Sequence, residues 1–103
     1  MIIYSVTVNI LREIEKDWVG WMRHLHIPDV MDTGHFQDFK FTRMIDPPSV
    51  DPETVTYNIQ YTCDNVGVLK RYMDNDAPAL QEEHSERYRG QFTAFRTILK
   101  EVI

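Results

Sequence analysis

The stretch Trp18-Val-Gly-Trp-Met-Arg-His-Leu-His-Ile-Pro-Asp-Val30 constrains the fold more than any other part of the chain. Leu11, Ile14, Trp18, Met22 and Leu25 recur at helical spacing with Trp21 beside them, so one face of a helix here is apolar. Glu13, Glu15 and Asp17 fall in its early turns, and Arg23 and the histidines in its last, in the sense the helix dipole favours. Ile27 precedes Pro28 and is pushed away from helical backbone angles, which predicts an end near His26. A helix with two indoles on one side needs a sheet to lie on.

The rest of the chain supplies that sheet. Ile2, Tyr4, Val6, Val8 and Ile10 alternate with Ser5, Thr7 and Asn9, the pattern of a strand buried on one face. Val55, Tyr57, Ile59 and Tyr61 alternate in the same way with Thr56, Asn58, Gln60 and Thr62. Between the helix and this second strand lie a turn at Asp32-Thr-Gly34, a strand-like stretch His35–Ile45 with aromatics on both parities, and a loop Asp46–Glu53 holding three prolines. After Asp64 or Asn65 as N-cap, a second helix follows through Leu69, Met73, Ala77, Leu80, His84 and Tyr88. Pro78 should break it in two, and Gly90 should close it. Gln91–Ile98 is the last strand, with Phe92, Ala94 and Ile98 opposed to Phe95 and Leu99.

The order β-α-β-β-α-β predicts an α+β, ferredoxin-like sandwich: a four-stranded antiparallel sheet with both helices on one face. The crossover rule, applied to the first and third strands, sets them parallel at the centre. At 103 residues the whole chain, 1–103, reads as one small domain. Its 43% apolar content suits a globular core.

Charge and cysteine usage narrow the function classes. A net charge of -5 argues against a nucleic-acid surface, which needs clustered Lys and Arg. The single cysteine, Cys63, cannot close an internal disulfide and shares the buried parity of Ile59 and Tyr61, so an inert thiol is expected. The opening Met-Ile-Ile-Tyr-Ser has no basic region or unbroken apolar run of a signal peptide, and no run approaches a membrane span. A cytoplasmic protein is the expectation.

His84 is the leading candidate for chemistry because it sits inside the apolar stripe of the second helix. A titratable ring there is either hydrogen-bonded and structural or poised for proton transfer. His26, with Asp29 across the Pro28 turn, forms either an oriented imidazole–carboxylate pair or a simple helix end with Asp29 as a cap. Arg96 shares parity with Phe92, Ala94 and Ile98; on the inner face it must find a carboxylate, from the protein or from a ligand. Tyr57 and Tyr61 would offer hydroxyls to the same space, and Trp21 with Trp18 a flat wall. His35 should open a strand, exposed. The histidines and the cysteine show no metal-ligand spacing, and no phosphate loop or dinucleotide fingerprint calls for a cofactor. The polar face of Ser5, Thr7, Asn9, Asn58 and Gln60 is either solvent-exposed or an interface with a second sheet, and Phe39, Phe41 and Phe95 outside it favour pairing.

The opening Met-Ile-Ile-Tyr-Ser-Val-Thr-Val, Trp21-Met-Arg-His-Leu-His-Ile-Pro-Asp-Val-Met31, Tyr57-Asn-Ile-Gln-Tyr-Thr-Cys63, Ala77-Pro-Ala-Leu-Gln-Glu-Glu-His-Ser-Glu-Arg-Tyr88 and Phe92-Thr-Ala-Phe-Arg-Thr97 together resemble a bacterial family, domain of unknown function 4286. The resemblance spans nearly the whole chain and implies a dimeric α+β barrel, in which two ferredoxin-like sheets close on each other. It implies no known activity. Relatives in that superfamily include cofactor-free monooxygenases, small-lactone isomerases and stress-induced binding proteins, often with a site between helices and sheet. Two readings follow. One is a homodimeric small-molecule-binding domain, with His84 and His26 as proton-transfer groups and Arg96 as anchor. The other is a dimeric module without chemistry, whose histidines complete the core.

Overall fold

The computed structural model describes all residues, Met1–Ile103. Strand β1 (Ile2–Leu11) leads through a 3-10 turn (Arg12–Ile14) into α1 (Glu15–Trp21), a π-helical turn (Met22–His26) and α2 (Ile27–Asp32). Strands β2 (Asp38–Arg43) and β3 (Thr54–Cys63) form a hairpin; α3 (Val66–Asn75), α4 (Ala77–Arg87) and β4 (Phe92–Lys100) follow. The sheet order is β2-β3-β1-β4, with every neighbouring pair antiparallel. This is the ferredoxin-like arrangement.

The central pair therefore departs from the sequence expectation: β1 and β3 run antiparallel, not parallel. The handedness rule governs the strands that a crossover joins. Here α1 and α2 join β1 to β2, which are parallel with β3 between them.

Register follows from burial on one face. Val6 stands between Ile59 and Arg96, and Tyr4 between Tyr61 and Ile98. The helices cover this face, and the core between them includes the fully buried Trp18, Ile10, Ile27, Ile59, Val30 and Cys63. The opposite face is a hydrogen-bonded polar layer. Asn58 Nδ2 donates to Ser5 Oγ at 2.8 Å and Thr7 Oγ1 at 3.1 Å, while Asn9 Nδ2 donates to Thr56 Oγ1 at 2.9 Å and Thr54 Oγ1 at 3.1 Å. Phe95 and Leu99 lie exposed beside it on β4. Phe41 does not: it turns inward and meets Trp18 at 5.7 Å, so its apolar surface is used by the core.

The first helix does not stop at His26. Ile27 keeps helical angles in front of Pro28, and its N–H reaches back five residues to the carbonyl of Met22. Burying Ile27 and Val30 outweighs the pre-proline preference, and the wider π turn moves the preceding carbonyls away from a ring that has no N–H to offer. The extra residue shifts the phase of the apolar stripe. Leu25 is left 52% exposed, and the stripe resumes at Ile27 and Val30.

The second helix breaks where Pro78 requires, with Asp76 between α3 and α4 and Asn65 Oδ1 capping Val68 N–H at 3.0 Å. Gly34 and Gly90 take the positive φ angles of 81° and 77° that turns out of helices require. His35 is neither exposed nor in a strand. Its Nε2 lies 2.9 Å from Asp76 Oδ2, and Phe36 packs on Tyr72 and Tyr61, so β2 starts only at Asp38.

Candidate functional site

Helix α4 turns Ala77 and His84 toward the sheet. His84 is 8% exposed, with its ring edge-on to Phe92 at 4.4 Å. Trp18 Nε1 donates to His84 Nε2 at 2.9 Å. An indole N–H can only donate, so Nε2 is the acceptor and the imidazole proton sits on Nδ1. Burial first, then the neighbouring His26 and Arg96, push the His84 pKa down to about 4. At neutral pH this is an uncharged ring with a fixed tautomer, and its remaining polar atom is an N–H donor.

His26 arrives through the π turn. It stacks on Trp21 with ring centroids 5.2 Å apart and meets His84 at 5.8 Å. Its Nδ1 is buried without a hydrogen-bond partner. Burial and Arg96 hold its pKa at about 4 against the opposing pull of Asp29. Of the two arrangements the sequence leaves open, the His26–Asp29 pair is absent as a hydrogen bond: because the helix continues past Pro28, Asp29 lies on the exposed side of α2 and acts only at a distance.

Arg96 lies on the helix-covered face of β4, opposite Val6. Its Nε donates to Tyr4 Oη at 3.0 Å, and it takes part in no ion pair. The carboxylate expected for it is not supplied by the protein. Because β4 is an edge strand, Arg96 is solvent-exposed and needs none for stability.

These three side chains border one cleft with two lobes. A lobe of about 50 Å³ lies against His84, Ser85, Phe92, Ala94 and Val8; one of about 40 Å³ lies against Tyr4, Tyr61, Tyr72, Leu80, Val30 and Ile59. Val6, Met22, His26, Gln81 and Arg96 belong to both, forming the waist. Tyr61 and Tyr72 are 3% exposed; burial first, and then the neighbouring tyrosines, push both phenol pKa values up, so both stay protonated.

Of the residues singled out by sequence, His84, His26, Arg96 and Tyr61 converge here. Tyr57 does not. Its hydroxyl donates to Glu15 Oε2 at 2.6 Å, a carboxylate that also accepts from Arg43 Nε at 2.9 Å and is held below its ordinary pKa, first by Tyr57 and then by Arg43. Trp21 backs His26 rather than lining the cleft, under the Arg87 guanidinium 5.6 Å from its ring centre. Gln81 and Tyr4 were missed, although Gln81 is one turn before His84 and Tyr4 shares parity with Val6. Tyr72 had no local signal, since only the packing of α3 brings it to the cleft. No three of the His, Cys, Asp and Glu side chains converge as metal ligands, and the Cys63 thiol is buried with its pKa raised by that burial.

The family model described as Domain of unknown function (DUF4286) matches residues 1–102. The chain belongs to the DUF4286 family. A search of the curated proteins finds no match to this sequence. Among solved structures, this DUF4286 chain is similar to an ethyl tert-butyl ether d (ethd) family protein from Bacillus halodurans, with 17% identity, a TM-score of 0.69, and 99% of this chain and 100% of that one covered. It is also similar to a point mutant of MhuD with two manganese protoporphyrin IX bound per active site, at 12% identity, TM-score 0.73, covering 100% and 96%. A dimeric ferredoxin-like protein from an uncultured marine organism is a third, at 10% identity, TM-score 0.68, covering 100% and 96%. At such identities these likenesses establish the fold and nothing finer.

Proposed function

We propose that this DUF4286 chain is a homodimeric small-molecule-binding domain of the bacterial cytoplasm, with the ligand seated in the cleft between α4 and the sheet. One observation carries the reading: His26 keeps a buried nitrogen with no partner beside a guanidinium with no carboxylate, and both border the same cavity. An orphaned buried polar atom costs about 1–3 kcal/mol, a burden a ligand would relieve. His84 then acts as a hydrogen-bond donor through Nδ1, its Nε2 being engaged by Trp18, and His26 offers Nδ1, which no protein partner fixes as donor or acceptor. This is binding chemistry, and no proton-transfer step is needed for it. A porphyrin, as in MhuD, is many times larger than either lobe.

Replacement of His26 by Phe tests the reading. Removing the orphaned nitrogen while keeping the stack on Trp21 should raise the melting temperature by about 4–8 °C per kcal/mol gained. It should also abolish the thermal shift that a panel of small carboxylates, phenols and ketones produces in the unaltered protein. A destabilised variant that responds to the panel unchanged would sink the proposal.

Dimerisation is supported by the exposed Phe95, 62% accessible, and Leu99 next to the polar sheet face, and by the dimeric description of a structural neighbour. Light scattering should return twice the chain mass, and Phe95→Asp, which sets a charge on the exposed apolar patch of the edge strand β4, should return one. A monomeric unaltered chain refutes it.

A further inference from the structure

The chain carries 16 acidic residues against 11 Lys and Arg, yet no carboxylate lines either lobe of the cleft. What lines it is mostly donors. Arg96 has spent only Nε, on Tyr4, which leaves its terminal nitrogens free. That bond fills an acceptor site of the Tyr4 hydroxyl and leaves its proton to point onward. Tyr61 and Tyr72 are both nine-tenths buried or more, and both line the second lobe. His84 offers Nδ1–H because Trp18 fixes its tautomer. Such a lining is complementary to a ligand made mainly of acceptors, with its charge near the waist.

Size limits the ligand further. At roughly 10–15 Å³ of such space per water-sized group, the two lobes together hold about six to nine non-hydrogen atoms. We infer that the cleft takes a small oxo-carboxylate, with the carboxylate on Arg96 and the ketone oxygen on His84 Nδ1–H. A carbonyl suits the second position better than a hydroxyl because His84 presents a donor there, and the carboxylate suits the first because a guanidinium binds it bidentately. This assignment rests on the reading of the cleft as a binding site.

The test is an NMR titration of the unaltered full chain, following the ring C–H signals of His26 and His84. The probes are pyruvate and acetoacetate, their neutral methyl esters, and acetate, all at constant ionic strength. The oxo-carboxylates should saturate both ring signals, with the esters and acetate each about tenfold weaker or more, since a hydrogen bond to a charged group is worth that factor. Arg96→Met should erase the preference of acid over ester, and Arg96→Lys should keep part of it. Both variants should keep the near-ultraviolet circular dichroism of the fold, because Arg96 is exposed. Esters binding as tightly as acids, or an Arg96→Met variant that still prefers the acid, would overturn the charge assignment. Acetate binding as tightly as pyruvate would overturn the ketone assignment. Neutral probes that saturate the rings while acids do not would leave the cleft standing and refute the inference. Ring signals that no probe moves would refute the cleft itself.

Discussion

Truncating Trp18 to alanine should cost about 3–5 kcal/mol of folding free energy, the range for a large aromatic removed from a core. Trp18 is fully buried and meets Phe41 at 5.7 Å, Tyr57 at 5.1 Å and His84 at 6.3 Å, between the first helix, the second helix and the sheet. No single neighbour can collapse into the space it leaves. Trp18→Phe separates packing from hydrogen bonding. It keeps most of the apolar volume but withdraws the N–H from His84 Nε2, so it should cost less than alanine yet still about 1–3 kcal/mol for the buried acceptor it orphans. It should also raise the His84 pKa, because the indole N–H favours the unprotonated nitrogen. Urea unfolding gives the two free energies, and the imidazole C–H shifts give the titration. A Trp18→Phe variant with an unchanged His84 titration would show that the 2.9 Å contact does not fix the tautomer.

Most of the architecture was legible because two strands alternate cleanly. Ile2–Ile10 and Val55–Tyr61 define a buried face, Pro78 marks the break between α3 and α4, and Gly34 and Gly90 sit where the backbone turns left-handed. The first helix was misjudged at its end because a local rule about the residue before proline was set against a tertiary gain the sequence does not display, the burial of Ile27 and Val30. That error hid the π turn, and with it the reason His26 faces His84 rather than Asp29. Parity groups Arg96 with Phe92, Ala94 and Ile98 without saying which face that is, and the register opposite Val6 makes it the helix-covered one. The bond from Arg96 to Tyr4 was not anticipated, since it depends on the antiparallel register of β1 and β4. Tyr57 failed as a cleft residue for the opposite reason. Parity put it on the right face, but position along the strand put its hydroxyl beside Glu15.

Acidification from pH 7 to pH 4 should remove a large share of the stability, and the two cleft histidines should account for most of the slope between pH 6.5 and 4. Each has a folded pKa of about 4 set chiefly by burial, against about 6.5 in an unfolded chain. The unfolded state therefore binds more protons throughout this window, so stability falls as pH falls. It is fully present above about 6.5 and lost progressively toward 4, where both states become protonated. One such ring taken alone corresponds to about 3 kcal/mol. The two do not titrate independently: the rings lie 5.8 Å apart, and in the folded state the charge on one opposes charging the other, which steepens the loss. Glu15 adds a loss of the same sign at the acid end, since its carboxyl is held below its ordinary value. Against a total of about 5–15 kcal/mol for a typical domain, the histidine contribution is large enough to read in urea midpoints at pH 7, 6, 5 and 4. His26→Phe should flatten the curve above pH 5 and leave the Glu15 region intact. An unaltered protein whose midpoint stays constant from pH 6.5 to 4.5 would mean that the rings are not buried neutral as the geometry places them. An anion seated on Arg96 should flatten the same curve, because its charge would favour the protonated imidazoles beside it and raise their folded pKa values toward 6.5.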